Sequence, residues 1–282
     1  NPSFVIRAGI LLPPIGAFNV NHDGPRYDFV ERPLVSTQII PATLSEVGGG
    51  VHGRLAPRGL SLSYDAYLTN GLGEGILLNS LGRLDLASGK SEERFAEDNN
   101  GEPALSARVA AQRRDLGEIG FSFYRGTYNS FRTDGVVVDD KRAVSLLAVD
   151  LRADVGPVSL QGEAAAAAVE VPESLTELYA ERQWGGYLDA VMPVWRPRVL
   201  GLDEPVVSVG FRLDYVDRNR GRFAATRLPI GDDATALTAA LSFRPAPGTV
   251  FRANYRTEWQ RDFVGNPIVR RGGISVGFAT YF

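Results

Sequence analysis

Hydrophobic side chains alternate with small or polar side chains over most of this chain. In the last segment, 272–282, Ile, Val, Phe and Thr residues occupy every second position, and Ser, Gly, Ala and Tyr residues lie between them. Successive side chains of a β-strand point to opposite faces of a sheet, so a period of two predicts a strand with one apolar face.

The same alternation predicts about twelve strands. One of them, 158–169, includes the run EAAAAAV, which has high helix propensity, but its position between two turn signals favours a strand over a short helix. The predicted strands are 4–12, 47–55, 60–69, 105–112, 118–124, 143–152, 158–169, 185–194, 206–217, 234–243, 250–259 and 272–282.

The predicted connections alternate between tight turns and long polar loops. The tight turns are 56–59, 113–117, 153–157 and 244–248, and the long loops are 13–46, 71–104, 127–142, 172–183, 218–233 and 261–272. This asymmetry is typical of bacterial outer-membrane barrels, which have short periplasmic turns and long extracellular loops. We therefore expect one domain over 1–282, an all-β antiparallel transmembrane β-barrel with long extracellular loops at about 13–46 and 71–104. A soluble β-sandwich is the weaker alternative, because it gives no reason for the asymmetry.

Charged residues concentrate on the face opposite the apolar one. We expect this face to line a lumen, with Arg212, Arg252 and Arg256 as a candidate anion-guiding patch. Asp150, Glu163 and Asp189 are predicted to point the same way. The expected pore-lining residues are Arg7, His52, Arg54, Asp65, Arg108, Glu118, Arg152, Arg212, Asp214, Arg252, Arg256 and Glu258.

Composition excludes several other classes of protein. The 282 residues contain no cysteine, so disulfides and cysteine-based zinc sites are excluded. A net charge of −3 argues against a nucleic-acid partner. No apolar run reaches the length of a transmembrane helix, which leaves alternating strands as the means of crossing a bilayer.

Candidate catalytic and metal-binding residues are few. A Ser-His dyad of an outer-membrane lipase would require His52, which has no signature serine beside it, so we expect no enzyme activity. The acidic clusters at 97–102, 139–140 and 232–233 are read as solvated turns in preference to Ca²⁺ or Mg²⁺ sites. Neither a metal nor a cofactor is expected.

The segment 13–46 is too long for a simple connection and contains many apolar residues. Two interpretations remain open for it. In the first, the segment folds into the lumen or over a neighbour and narrows the pore. In the second, it forms a latch that contacts another subunit.

Four segments carry a resemblance to a known family: RAGILLPPIG at 7–16, FVERP at 29–33, IIPAT at 39–43 and EVGGG at 46–50. They resemble the phosphate-selective-type porins and related outer-membrane barrels, and the aromatic end of the last strand resembles the closing strand of such barrels. The resemblance implies a cell outer-membrane location, contact with lipid and lipopolysaccharide, and an oligomer that is often a trimer. It also implies up to 16 strands, with this chain beginning a few strands into the barrel.

The expected function is passive diffusion of small hydrophilic or anionic solutes through a water-filled lumen. Phosphate selectivity is not carried over, because Lys90 and Lys141 are the only lysines and both lie in predicted loops. The alternative is a structural barrel with a plugged lumen that anchors or accompanies a surface assembly.

Overall fold

Strands dominate the structure, a computed structural model that describes residues 3–21, 23–91, 100–176, 179–198, 201–202, 204–223, 226–263 and 266–281. The strands are β1 (Val5–Leu11), β2 (Glu46–Leu55), β3 (Leu60–Thr69), β4 (Ala104–Arg113), β5 (Gly117–Thr127), β6 (Arg132–Thr133), β7 (Val136–Val137), β8 (Ala143–Val155), β9 (Val158–Val169), β10 (Arg182–Trp195), β11 (Val206–Asp217), β12 (Asp233–Ala246), β13 (Thr249–Gln260) and β14 (Val269–Thr280). Two short α-helices, α1 (Gly16–Val20) and α2 (Val35–Gln38), and 3₁₀ turns at Gly24–Arg26, Glu74–Ile76, Leu86–Gly89 and Glu173–Leu175 lie in the loops. No helix in these ranges is long and apolar enough to cross a membrane.

Twelve of the strands form one antiparallel sheet, in which each strand pairs with its neighbours in the sequence. Only β6 and β7 lie apart, as a small hairpin within the connection from β5 to β8. The prediction of an all-β antiparallel fold with about twelve long strands is confirmed, and the alanine-rich run belongs to strand β9. Among the described residues, β1 pairs only with β2 and β14 only with β13, so closure of the sheet into a barrel is not seen.

The register places all of the expected pore-lining residues on one face of the sheet, which we call the inner face. His52 lies opposite Asp65, and Asp65 lies opposite Arg108 on the next strand. Five strands beyond β4, Arg212 on β11 lies opposite Asp189 on β10. The face of each side chain was therefore predictable from the period of two alone.

The opposite face, the outer face, is apolar and exposed along the whole sheet. Ile6 is 75% exposed, and Ile274 at the other edge is 78% exposed. Between them lie further exposed apolar side chains on almost every strand, including Leu68, Val109, Phe121, Leu147, Leu188, Phe211, Leu241 and Phe251.

Two long segments pack against the inner face, and the larger one is the connection 12–45, which we call the inner loop. Its helix α1 contacts strands β5, β8 and β9, and its helix α2 contacts β9, β10 and β11. Ile15, Val35 and Ile39 of this loop are completely buried. Complete burial of residues on such short elements requires cover from several directions. The sheet provides it on one side, and the second long segment, 70–91, provides it on another.

The second segment, 70–91, follows β3 and completes an apolar core with the inner loop. Gln183 Nε2 on β10 donates a hydrogen bond to the carbonyl oxygen of Leu84 at 2.9 Å, which ties the segment to the far side of the sheet. The core comprises Ile15, Leu34, Val35, Ile39, Ile40 and Leu44 of the inner loop, Leu72, Ile76, Leu84 and Leu86 of the second segment, and inward side chains such as Tyr124, Leu146, Ala165, Ala167, Val216 and Ala236.

Candidate functional site

The inner face and the inner loop meet at a buried ion pair between β10 and β11. Arg212 Nε and a terminal nitrogen of its guanidinium bind the two carboxylate oxygens of Asp189 at 2.6 and 2.7 Å. The third nitrogen of the guanidinium donates to the carbonyl oxygen of Glu31 at 2.7 Å, and the guanidinium carbon Cζ lies 4.2 Å from the ring centroid of Phe29. A buried arginine is tolerated where all of its donors have partners. Here one of those partners is the inner loop.

Asp214, two residues after Arg212 on β11, binds the inner loop at Leu34. Its carboxylate accepts a hydrogen bond from the backbone nitrogen of Leu34 at 2.9 Å. Leu34 immediately precedes α2, so this contact fixes the start of the helix over the inner face.

Glu163 on β9 binds both halves of the inner loop. Its carboxylate accepts from the backbone nitrogen of Phe18 at 3.1 Å and from the hydroxyl of Ser36 at 3.1 Å. Gly16, which begins α1, has φ +67°, and a Cβ at this position would collide with the same carboxylate. Close approach of the backbone to Glu163 therefore requires glycine at residue 16.

On β13, next to the edge strand β14, Arg252 binds three backbone carbonyl oxygens of the inner loop. A terminal nitrogen of its guanidinium donates to Gly24, Tyr27 and Phe29 at 3.0, 3.2 and 3.0 Å. Asn254 donates to the Glu31 carboxylate at 2.6 Å. Two of the three arginines predicted as an anion-guiding patch, Arg212 and Arg252, thus bind the loop.

The third, Arg256, forms an ion pair with Glu258 on the same strand at 2.6 Å. Both side chains remain partly exposed. The guiding role that the sequence suggests for the three arginines stays a prediction, and at least one nitrogen of each guanidinium is already bound to a protein oxygen.

A second polar cluster lies on β1, β2 and β3, away from the apolar core. His52 Nδ1 and Asp65 Oδ1 are 2.9 Å apart, and Tyr67 donates to the same carboxylate oxygen at 2.5 Å. Arg7 donates to the Tyr67 hydroxyl at 3.0 Å and stays 45% exposed. Arg54 binds Ser61 and Gln112 on the neighbouring strands, at 2.7 and 3.0 Å.

Arg108 on β4 links two acids of the inner face. It binds Asp150 at 2.6 and 3.2 Å and Glu118 at 3.1 Å. Opposite charges on neighbouring strands therefore neutralise one another across this part of the sheet. The sequence predicted the inward direction of these residues, but not which acid each arginine binds.

A polar cavity of about 990 Å³ opens on the inner face at the end of the tight turns. Arg114, Arg152, Glu118, Gln161 and Tyr27 are among the residues that line it. In the described part of the chain, neither Arg114 nor Arg152 forms an ion pair with a carboxylate. This cavity, which we call the tight-turn cavity, is lined by four arginines and four acids, and its Asp154 likewise has no ion-pair partner among the described residues.

The acidic clusters of the loops are held by basic side chains. Asp232 is buried and binds Arg218 at 2.9 Å and Arg83 at 3.2 Å, and Asp233 binds Arg261 at 2.9 Å. Asp139 binds Arg142, and Glu102 binds Lys141, at 2.8 and 2.7 Å. Of these, Asp232 departs from a solvated turn, because its two arginines come from different loops. Residues 97–99 lie outside the described residues. Within the described residues, no group of three or more side chains that could ligate a metal ion is found.

Comparison with curated proteins finds similarity over a short stretch of the chain. No family model matches the chain. A stretch of 72 residues is 40% identical to an uncharacterized protein of Aquifex aeolicus (strain VF5), and it covers 26% of this chain and 16% of that protein. The chain therefore matches a small part of a much longer relative.

Proposed function

We propose that the sheet forms a transmembrane β-barrel in the outer membrane of a bacterium. The carrying observation is the contrast between its faces: the outer face exposes apolar side chains on almost every strand, while the inner face carries the charges. In water, an apolar surface of this extent would drive association. In a bilayer the same surface meets lipid, and the charged face lies inside.

The barrel requires that the backbone groups of both sheet edges find partners, because unpaired N–H and C=O groups are costly in lipid. An even number of antiparallel strands makes β1 and β14 run in opposite directions, so they are oriented to pair with each other. The family resemblance favours instead additional strands between them, up to 16 in all. Crosslinking of cysteines introduced at Ala8 and Val276, both on the outer face, distinguishes direct pairing from an inserted set of strands.

We further propose passive diffusion of small hydrophilic solutes along the inner wall formed by β13, β14 and β1–β3. This wall keeps polar groups accessible, with Arg7 45% and His52 27% exposed, whereas the apolar core covers the inner face of β5 and β8–β10. The tight-turn cavity forms one entrance to this path, where Arg114 and Arg152, which have no ion-pair partner among the described residues, would attract anions. The inner loop then narrows the pore, which is the first of the two interpretations left open by the sequence.

Single-channel recording in planar bilayers tests the pore. Folded protein is expected to give discrete conductance steps, and protein unfolded by heat serves as the control. A folded, inserted sample that gives no steps contradicts the proposal. The location is tested separately, by fractionation of the native cell envelope.

A structural barrel with a plugged lumen is the second candidate, favoured by the apolar core that the inner loop and segment 70–91 form inside the sheet. The plugged barrel predicts no conductance either in the folded protein or in variants that release the inner loop.

A trimer, which the resemblance implies, would give three coupled conductance levels and a crosslinked species of three chains. Catalysis is not part of either proposal, and equal absence of phospholipid hydrolysis in the protein and in His52→Ala tests that point.

A further inference from the structure

A groove runs across the outer face of β8, β9 and β10, close to the long loops. Its floor is made of small outward side chains, Ser145, Ala166 and Ala168, and its volume is about 640 Å³. The register explains the depression: Ala166 lies between Leu147 and Trp184 on the flanking strands, so a methyl group separates two large side chains. We call this feature the rim groove.

Three arginines line the loop end of the rim groove. Arg182 lies opposite Ala168, and its carbonyl oxygen accepts a hydrogen bond from the backbone nitrogen of Arg220 at 2.8 Å. The Arg220 guanidinium lies 5.5 Å from the Trp184 ring centroid, and Arg222 donates to the carbonyl oxygen of Arg227 at 2.8 Å. None of these three arginines forms an ion pair with a carboxylate in the described ranges.

The surrounding acids form no ion pair with these three arginines among the described residues, and the Asp217 carboxylate attracts Arg220 only at longer range. Asp217, opposite Trp184, directs its carboxylate to the backbone nitrogen of Asn219 at 3.1 Å. On the other flank Glu170 lies 4.0 Å from Arg125, which itself donates to Ser145. Three positive charges therefore stand directly above an apolar trough that continues into the exposed outer face.

We propose that the rim groove binds a phosphate-bearing membrane lipid, with its phosphate on Arg182, Arg220 and Arg222 and an acyl chain along Leu147 and Ala166. The inference rests on the proposed membrane function, since it requires the outer face to lie in lipid. Arginine binds phosphate through paired charged hydrogen bonds. Trp184 and Tyr215, with ring centroids 5.0 Å apart, lie beside the groove as aromatic residues do at a membrane–water interface.

The arrangement favours a lipid over a soluble phosphate compound, because half of the groove is apolar and open to the outer face. It also gives a role to the alanine-rich run of β9. Its inward members Ala165 and Ala167 pack in the apolar core, while Ala166 and Ala168 form the floor of the groove.

The test is native mass spectrometry of the full chain, folded into detergent micelles that contain diphosphorylated lipid A. The parent protein is expected to retain diphosphorylated lipid A. It is expected not to retain lipid A from which the phosphates have been removed. The triple variant Arg182→Gln, Arg220→Gln, Arg222→Gln should bind about 100-fold more weakly, since a basic residue near a lipid surface contributes roughly fivefold each. The matched control, Arg58→Gln, Arg196→Gln, Arg198→Gln, removes the same charge outside the groove and should bind as the parent does.

A second pair of variants tests the apolar half without changing charge. Ala166→Leu fills the trough and should weaken retention about tenfold through steric overlap, whereas Ala239→Leu, also exposed on the outer face, should not. Equal retention by the parent and the triple variant, or displacement of lipid A by inorganic phosphate alone, would overturn the lipid site. Insertion into vesicles is measured beside these: a parent that inserts but retains no lipid A refutes this inference only, and one that does not insert refutes the proposed function as well.

Discussion

Arg212 and Asp189 face each other on adjacent strands and form a two-point ion pair in the interior, with only 1% and 5% of their side chains exposed. The same guanidinium reaches the carbonyl oxygen of Glu31 in the inner loop. The ion pair between the two strands is thus also an attachment point of the inner loop.

Removing one member of this pair should be costly. Arg212→Leu leaves Asp189 buried without its cation, and we expect a loss of about 3–5 kcal/mol in the free energy of unfolding. Urea unfolding in lipid vesicles, followed by tryptophan fluorescence, measures it. The double variant Arg212→Leu, Asp189→Leu removes both charges and should recover most of the loss. A single variant as stable as the parent would contradict the anchoring role.

Gly16→Ala should release the start of the inner loop. The new Cβ meets the Glu163 carboxylate, and φ +67° is unfavourable for alanine, so we expect about 1–3 kcal/mol of destabilisation. Gly59→Ala is the matched control, because Gly59 has φ +83° and open space around it. Limited proteolysis of the inner loop in the folded protein should be faster in Gly16→Ala than in Gly59→Ala. Equal rates would contradict the role of the Gly16–Glu163 contact in holding the inner loop.

The strands could be predicted because their two-residue period depends only on local sequence. The expected strands 158–169 and 206–217 coincide with β9 and β11, whereas β10 begins at Arg182, three residues before its predicted start. The period also gives the face of Arg212 and Arg252. Their partners could not be predicted, because a backbone carbonyl carries no sequence signature and the one Arg212 binds lies 181 residues away.

Acid should weaken the attachment of the inner loop at Glu31. Burial by itself would raise the pKa of this carboxyl, but hydrogen bonds from Ser275 and Asn254 lower the pKa below its ordinary value of 4.5. A lowered pKa in the folded state means that the contribution is present above the unfolded pKa and is lost as the pH falls through the folded value. Glu31→Gln lacks this contribution at every pH.

The measurement is proteolysis of the inner loop between neutral pH and about pH 3, with an acid-stable protease at the low end. The parent should be more resistant than Glu31→Gln near neutrality, and the difference should vanish below the pKa of Glu31. A constant difference over the whole range would show that the carboxylate charge plays no part.

Arg152 should influence which ions pass, if the tight-turn cavity is an entrance. Arg152→Gln removes a cation without an ion-pair partner among the described residues, so the reversal potential in a salt gradient should shift towards cation preference. Arg198→Gln, a change of the same charge at an exposed position outside the cavity, provides the control. An unchanged reversal potential in Arg152→Gln, with conductance retained, would place the path elsewhere.

The alanine-rich run of β9 tests the two faces of the sheet within neighbouring residues. Ala165 points inward and is 5% exposed, while Ala164 is exposed on the outer face. Ala165→Leu forces a larger side chain into the packed core, and we expect about 1–3 kcal/mol of destabilisation. Ala164→Leu adds apolar surface where the barrel would meet lipid and should be neutral or mildly stabilising in vesicles. Urea unfolding of both variants in vesicles measures the difference, and equal losses would contradict the assignment of the outer face to lipid.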